Sequence, residues 1–223
     1  DAAGTVTGGA AGTVTGATAG AAPTGLTPGN PTPPATGRQD DPGSAAALLS
    51  GPVYDLRPIT PETMGFLYQL AVSSEVGYRW RFRGAVPNYE TFEASFWQGT
   101  LCQFVAVERS SGQLCGHVVC YNPEMAHGYG TVAAVFLPGH AGTGAPLQCI
   151  GAFVRYVFTV WPMRKLYLEV PSFNYAQFAD GAGRLFAAEG LLTEHDYYAG
   201  RYWDRHVLAV HRHHVGLRPI GAR

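Results

Sequence analysis

The chain has 223 residues, with 15 Lys and Arg, 16 Asp and Glu, and a formal net charge of -1 at pH 7. This balance excludes the strongly basic surfaces that bind nucleic acid or anionic membranes, so we expect neither as a partner. Hydrophobic residues make up 46% of the chain, which is enough for one packed domain of about 150 residues. No apolar run approaches the roughly 20 residues of a membrane span.

Residues 1–50 form a low-complexity segment of mostly Ala, Gly, Thr and Pro, in which AAGTVTG occurs at Ala2–Gly8 and again at Ala10–Gly16. Such a composition buries too little apolar surface to offset the entropy lost on ordering. We therefore predict a disordered, flexible arm over residues 1–50, either a solvated linker or a tether that binds something. A folded domain over residues 51–223 should follow.

The folded domain begins with a strand and a helix. Val53–Thr60 alternates between apolar and polar residues, which predicts the strand. Thr60 then supplies a helix cap and Pro61 fits a first turn, so a helix should run from Pro61 to about Ser73. Aromatic residues follow with arginines between them: Tyr78, Trp80 and Phe82 alternate with Arg79, Arg81 and Arg83. These aromatic side chains either pack in the core or line a binding channel.

A β-hairpin is predicted next, from Gln103–Glu108 and Leu114–Tyr121 with the short turn Ser110–Gly112. His117 in its second strand is expected to be a core or edge residue rather than a catalyst. The cysteines have neither CxxC spacing nor a nearby histidine partner, which predicts buried thiols in a reducing compartment and hence a cytoplasmic protein. They are Cys102, Cys115, Cys120 and Cys149.

The middle of the chain predicts a strand, a glycine turn and a helix. Thr131–Leu137 is a β-branched, apolar run typical of a buried strand. Gly142 and Gly144 allow a tight turn, Pro146 fits a first helical turn, and Leu147–Phe158 has apolar residues at helical spacing. Such a turn directs backbone N–H groups and the positive end of a helix dipole to solvent, which suits a phosphate group.

Three further strands are predicted downstream, namely Leu166–Val170, Leu191–His195 and Trp203–Val210, the last two around an aromatic loop. No partner carboxylate accompanies the histidines near the C-terminus. We therefore expect no metal site at His211, His213 and His214.

Short motifs in a fixed order connect these elements. They are Pro138, Gly142, Gly144, Tyr156–Phe158, Arg164-Lys165, Val170, Asn174, Phe186 and Glu189-Gly190. Their order over roughly residues 53–212 resembles the GNAT superfamily of acyl-CoA-dependent N-acyltransferases, most closely its ribosomal-protein N-acetyltransferase (RimJ/RimL-like) branch. The resemblance implies an α/β (α+β) fold, a twisted mixed sheet of about seven strands with helices on both faces.

The resemblance also implies acetyl-CoA, or another acyl-CoA, as co-substrate. The donor would lie in a V-shaped gap where the central strand and the Leu166–Val170 strand splay apart. The implied donor-binding groups are main-chain groups of Val135, Phe136 and Leu137, N–H groups of Gly142, Thr143, Gly144 and Ala145, and the amide of Asn174.

The acceptor implied by the resemblance is an amine of a peptide, a protein or a small metabolite. Its binding residues would be Tyr78, Trp80 and Phe82, and aromatic walls of this kind would suit a partly apolar acceptor. No metal is implied.

Catalysis requires that the amine lose a proton and the thiolate gain one. The nearest carboxylate for the base is Glu169, whose alternative role is a solvated strand end. The positions where the superfamily usually places its acid hold Gly181-Ala182 and Gln177. Tyr175 is therefore the predicted substitute, with simple packing as the alternative.

The predicted phosphate turn departs from the superfamily pattern, because Ala141 replaces a polar residue and Pro146 removes a backbone donor. One lost hydrogen bond to a charged group weakens binding by about tenfold or more. Three functions stay open: an N-acetyltransferase, a transferase using a longer acyl chain or a carrier-protein thioester, and a non-catalytic acyl-CoA-binding module. The oligomeric state is also open, with a homodimer among the possibilities.

Overall fold

One mixed sheet organises the part of the chain that the structure describes, which comprises residues 47–74, 76–77, 80–140, 144–176 and 181–218 of a computed structural model. Its strands are β1 (Tyr54–Arg57), β2 (Thr100–Glu108), β3 (Leu114–Glu124), β4 (Tyr129–Phe136), β5 (Lys165–Pro171), β6 (Ala187–Tyr198) and β7 (Arg201–His211). They lie in the order β1-β2-β3-β4-β5-β7-β6. Every neighbouring pair is antiparallel except β4 and β5, which are parallel.

The helices within the described residues are α1 (Pro61–Val72), α2 (Tyr89–Ser95), α3 (Ala145–Val160) and the short α4 (Ser172–Tyr175). Thr60 is the N-cap of α1, as predicted, and its N–H donates to the Thr63 hydroxyl at 3.0 Å. α3 forms the crossover that the parallel pair β4 and β5 requires.

The sheet is covered on both faces, each with its own buried layer. On the α3 face, Phe153, Phe158 and Leu166 are at most 1% exposed. On the α1/α2 face, Phe92 and Phe96 are fully buried. Each such side chain contributes about 1.5 to 3 kcal/mol of hydrophobic free energy. A seven-stranded mixed sheet with helices on both faces confirms the predicted fold.

Alternate residues of each strand point to opposite faces. In β5, Leu166 and Val170 join the buried layer of the α3 face, so Tyr167 and Glu169 point to the α1/α2 face. This alternation decides which predicted site residues can meet.

All four cysteines are buried and free, which confirms the prediction of buried thiols. Burial raises the pKa of each thiol to about 12. A thiol with such a pKa is almost entirely protonated near neutral pH and is therefore a poor nucleophile.

Packing against the core includes a residue that precedes position 51, where we predict that the folded domain begins. Leu49 lies in the 3₁₀ turn Ala47–Leu49 and packs against the buried layer of the α3 face. The predicted arm falls almost entirely outside the described residues and stays a prediction. Among the residues described, no helix is both long enough and apolar enough to cross a membrane.

Candidate functional site

β4 and β5 pair over a short stretch and then separate. Their parallel register runs only from Tyr129↔Lys165 to Thr131↔Tyr167. Both strands continue beyond this point without pairing to each other. The sheet therefore contains the predicted V-shaped gap, which opens toward the C-terminal ends of β4 and β5.

The main chain of β4 offers hydrogen-bonding groups to this gap. In an antiparallel pair, alternate residues direct their N–H and C=O groups toward the partner strand and away from it. Just past the end of β4, the Leu137 N–H donates to the carbonyl of Cys115 in β3 at 2.8 Å. This bond shows that the main-chain groups of Leu137 point toward β3. By alternation, the main-chain groups of Val135 also point toward β3, whereas those of Ala134 and Phe136 point toward the gap.

Among the predicted pantetheine contacts, these orientations favour Phe136 over Val135 and Leu137. Phe136 is oriented for such a contact, but the Leu137 N–H is already used by β3 and the main-chain groups of Val135 point the same way. Ala134, which the sequence analysis did not select, takes the position facing the gap.

The glycine turn leads from β4 into α3. Gly144 is the N-cap of α3 and has a left-handed φ of 74°, which glycine adopts without strain. A Cβ added to Gly144 would meet no atom of the described residues within 4 Å, so these residues leave the space around it open. The first turn of α3 contains no acidic residue, and Ala145 is its first residue. The predicted partners Gly142 and Thr143 lie outside the described residues.

A cavity of about 440 Å³ lies on the α1/α2 face. Ala133 of β4 and Glu169 of β5 line it, and they follow Thr131 and Tyr167, the last pair that these strands form. The cavity therefore adjoins the start of the gap. Its remaining wall comes from the segment after α1, from Gln98 and β2, from β3, from the end of β5 and α4, and from the β6–β7 hairpin.

Arg205 of β7 organises the charged side of this cavity. Its Nη1 donates to Glu169 Oε2 at 2.7 Å, and its Nε and Nη2 donate to the two carboxylate oxygens of Asp196 on β6. Arg205 is 8% exposed and the Asp196 side chain 11%. Bidentate pairs of this kind are among the stronger hydrogen-bonded contacts.

Glu169, the predicted base, keeps one oxygen accessible. Its side chain is 38% exposed, and among the described residues only its Oε2 accepts a hydrogen bond. Oε1 can therefore accept a proton from a group in the cavity.

Two more arginines line the cavity. Arg81 Nη2 donates to the main-chain carbonyls of Ser95 and Phe96 at 3.2 and 3.0 Å, and its guanidinium lies 4.8 Å from the Phe96 ring centroid. Burial lowers the pKa of Arg81, although a guanidinium stays protonated near neutral pH. Arg83 is exposed, with its Nη1 3.8 Å from Asp196 Oδ1.

The aromatic residues predicted to bind the acceptor have separate locations. Trp80 lines the cavity but is only 5% exposed, because its ring packs against His117 with the centroids 5.1 Å apart. Phe82 packs against Phe92 at 6.1 Å and is not among the described residues that line the cavity. Tyr78 lies outside the described residues.

Tyr121 of β3 also lines the cavity. It is paired with Thr131, so it stands level with the start of the gap, and its hydroxyl makes no hydrogen bond to any described residue. Burial, and after it the charge of Glu169, raises the pKa of Tyr121. The phenol is therefore protonated at neutral pH and can donate a proton.

Tyr175, the predicted acid, lies on the opposite face of the sheet from Glu169. Its ring stacks on His206 with the centroids 3.7 Å apart, at the edge of the α3-face layer. His206 and Arg205 are consecutive in β7 and therefore point to opposite faces. Asn174 lies beside Tyr175 in α4, at the end of the β5 arm of the gap.

His117 lies against Trp80 on the α1/α2 face and is fully buried. Gln103 Nε2 donates to the Phe96 carbonyl at 3.2 Å, so the Gln103 Oε1 accepts from His117 Nε2 at 3.0 Å. His117 Nδ1 is left without a partner among the described atoms. Burial, and then the charge of Arg81, lowers the pKa of His117 to about 3. The prediction that His117 is a core residue is confirmed.

No group of His, Cys, Asp and Glu side chains in the described part of the chain could hold a metal ion. The rings of the C-terminal histidines lie with centroids 4.2 to 5.6 Å apart. The His211 N–H donates to His214 Nδ1 at 3.0 Å. Contrary to the sequence expectation a carboxylate lies nearby, since His211 Nε2 is 3.7 Å from Glu189 Oε1.

The strand order, the single parallel pair and the gap define a GNAT-like fold. The spermidine N-acetyltransferase from Vibrio cholerae in complex with CoA and spermine matches with a TM-score of 0.63 at 20% identity, over 74% of this chain and 99% of that one. A chimera of the Vibrio cholerae enzyme SpeG and hSSAT matches with a TM-score of 0.61 at 22% identity, over 74% and 99%. SpeG in complex with manganese ions matches with a TM-score of 0.58 at 21% identity, over 71% and 92%.

At these identities the likeness establishes the fold, which confirms the predicted GNAT-like architecture. These matches give no support to the ribosomal-protein branch. No protein-family model matches the sequence, and no curated protein sequence matches it.

Sequence reasoning missed three residues that build the cavity, namely Tyr121, Asp196 and Arg205. Tyr121 could have been found from strand alternation, because it lies on the same face of β3 as His117. The contact of Arg205 with Glu169 depends on β7 lying beside β5, which no local pattern shows.

Proposed function

We propose that this chain is an acetyl-CoA-dependent N-acetyltransferase that acts on a primary amine. The observation that carries this proposal is the junction of gap and cavity, because Ala133 and Glu169 border both. A thioester lying in the gap would reach an amine bound in the cavity. The fold shared with a spermidine N-acetyltransferase that binds CoA and spermine supports the same activity.

The donor would use the β4 arm of the gap and the turn into α3. Main-chain groups of Ala134 and Phe136 suit the amides of a pantetheine arm, which would add to the sheet as a strand does. Gly144 and the first turn of α3 would face the pyrophosphate. The further donor contacts in this proposal are the sequence-predicted Gly142, Thr143, Ala145 and Asn174.

The reaction replaces a C–S bond with a C–N bond and requires proton transfers at both the nitrogen and the sulfur. The acceptor ammonium first loses a proton to Glu169 Oε1, directly or through a water molecule. The neutral nitrogen attacks the thioester carbonyl carbon, a C–N bond forms, the nitrogen sheds its second proton and the C–S bond breaks. The departing sulfur takes a proton from Tyr121 or, in the sequence-based alternative, from Tyr175, and the second proton of the nitrogen passes through water to the resulting tyrosinate. Glu169 then releases the first proton to solvent. The products are an amide, the CoA thiol and one proton released to solvent.

A small amine, or the terminal residue or side chain of a peptide or protein, is the acceptor in this proposal. A cavity of about 440 Å³ admits a group of that size. A ribosomal protein is therefore only one of several acceptors that this volume allows.

Calorimetric titration with acetyl-CoA, followed by a thiol-release assay with a panel of amines, tests the proposal. A thiol reagent should report CoA rather than the protein, since all four cysteines are buried with raised pKa values. We expect binding on the order of micromolar to millimolar and acceptor-dependent thiol release. Tighter binding and faster transfer with a longer acyl donor would favour the second function, and binding without release would favour the third. Failure to bind any donor would refute all three.

A further inference from the structure

We infer that the amine acceptor also carries a carboxylate, an inference that rests on the proposed N-acetyltransferase function. The cavity wall bears three guanidinium groups and two carboxylates: Arg81, Arg83 and Arg205 face Glu169 and Asp196. Among the described lining residues the formal balance is therefore positive. A cavity with this balance attracts an anionic group and repels a polycation.

Both carboxylates already accept hydrogen bonds from Arg205. Asp196 is bound by both Nε and Nη2 of Arg205, and Glu169 accepts from Nη1 of the same side chain. Arg83 adds a second cation 3.8 Å from Asp196. A polyamine would have to compete with these guanidinium groups for both carboxylates. The cavity is therefore poorly suited to an acceptor with several positive charges, whatever the fold has in common with spermidine N-acetyltransferases.

Arg81 is a cation with no carboxylate partner among the described residues. Among the described residues it contacts no carboxylate, and only its Nη2 donates, to the carbonyls of Ser95 and Phe96. A partly buried charge without an opposite charge is unfavourable. A ligand carboxylate that accepted hydrogen bonds from the remaining guanidinium N–H groups would compensate it in a charge-assisted contact.

Matched acceptor pairs test this inference on the unmodified chain. Each pair consists of an aminocarboxylate and its amide. The aminocarboxylates are glycine, β-alanine and γ-aminobutyrate, which differ in the distance between amine and carboxylate. Spermidine and phosphoethanolamine complete the panel. We expect kcat/KM for acetyl transfer to at least one aminocarboxylate to exceed that for its amide and for spermidine by about tenfold or more.

Two variants test whether Arg81 causes the preference for a carboxylate over its amide. In Arg81→Gln the carboxylate-over-amide ratio should fall toward one. In Arg155→Gln, which makes the same charge change at an exposed position of α3 on the other face, the ratio should not change. Thermal melting of both variants checks that they fold. The comparison of acceptors on the unmodified chain does not depend on either variant.

The possible negative results of these assays can be told apart. Transfer that is equal for acids and amides, or fastest with spermidine, would overturn the inference and leave the proposed function standing. Faster transfer to phosphoethanolamine than to every aminocarboxylate would overturn the carboxylate in favour of a phosphate. An unchanged ratio in Arg81→Gln would overturn the role of Arg81. Absence of both acetyl-CoA binding and transfer would refute the proposed function itself, and this inference with it.

Discussion

Arg205 of β7 donates from Nη1 to Glu169 of β5 at 2.7 Å, across two adjacent strands of the sheet. The same guanidinium holds Asp196 of β6, so one side chain connects three strands at the wall of the cavity. Glu169 stands where β4 and β5 begin to separate, and Arg205 thereby sets the orientation of the carboxylate proposed as the base.

Replacing Arg205 should destabilise the fold. We expect Arg205→Met to lower the free energy of unfolding by about 3 kcal/mol, because the nearly buried Asp196 carboxylate would lose its bidentate partner and keep only the exposed Arg83 at 3.8 Å. Urea denaturation measures this change. Glu169→Gln is the control, with a loss below about 1 kcal/mol expected, since Glu169 is 38% exposed. Equal losses in the two variants would contradict this account of the cluster.

Gly144→Ala should weaken acetyl-CoA binding by more than its effect on stability explains. The positive φ of Gly144 makes alanine unfavourable by about 1 kcal/mol, and the new Cβ would occupy the open space proposed for the pyrophosphate. Gly112 is a matched control, because its φ is also positive, at 71°, and an added Cβ again meets no described atom within 4 Å.

Titration calorimetry and thermal melting of both variants separate the two effects. We expect the two variants to have similar melting temperatures. The acetyl-CoA Kd should rise at least tenfold in Gly144→Ala only. A Kd that rises equally in Gly112→Ala would exclude a specific role for the turn into α3.

Tyr121→Phe and Tyr175→Phe distinguish the two proposed acids. Loss of a general acid typically lowers kcat by about 100-fold or more, and we expect this for Tyr121, whose raised pKa keeps it protonated. Tyr175→Phe keeps the ring that stacks on His206, so it should leave folding intact and kcat within a few-fold. The reverse pattern would assign the acid to Tyr175, as the sequence predicts.

The stability of the fold should depend on pH through His117. Its pKa is about 3 in the folded chain and 6.5 in the unfolded reference, so the unfolded state binds more protons between these values. Stability contributed by the neutral ring is therefore complete above pH 6.5 and is lost as the pH falls toward 3. At pH 5 the loss amounts to about 2 kcal/mol.

Urea denaturation between pH 5 and pH 8 measures this dependence. His117→Leu should reduce the slope of stability against pH, even though Gln103 loses its partner and the variant is less stable throughout. His195→Gln, at an exposed position, should retain the slope. A slope that His117→Leu leaves unchanged would show that other groups cause it.

Local patterns predicted most elements to within a few residues. The hairpin of β2 and β3 was visible because its strands alternate around a Gly-containing turn, and α1 because Thr60 and Pro61 mark its start. The short helix α2 was not expected, since Tyr89–Ser95 carries aromatic and acidic residues over only seven positions. Its stability depends on Phe92 packing beneath α1, a tertiary contact.

The sequence by itself determined the strand-turn-helix unit around Gly144, the buried cysteines and the superfamily resemblance, because these depend on residues close together in the chain. Only the tertiary structure decided the composition of the cavity. Strand order places β7 beside β5 and brings Arg205 to Glu169, and strand alternation puts Tyr121 on their face while Tyr175 lies on the other. Such contacts follow from register between strands that are far apart in sequence, which no local periodicity encodes.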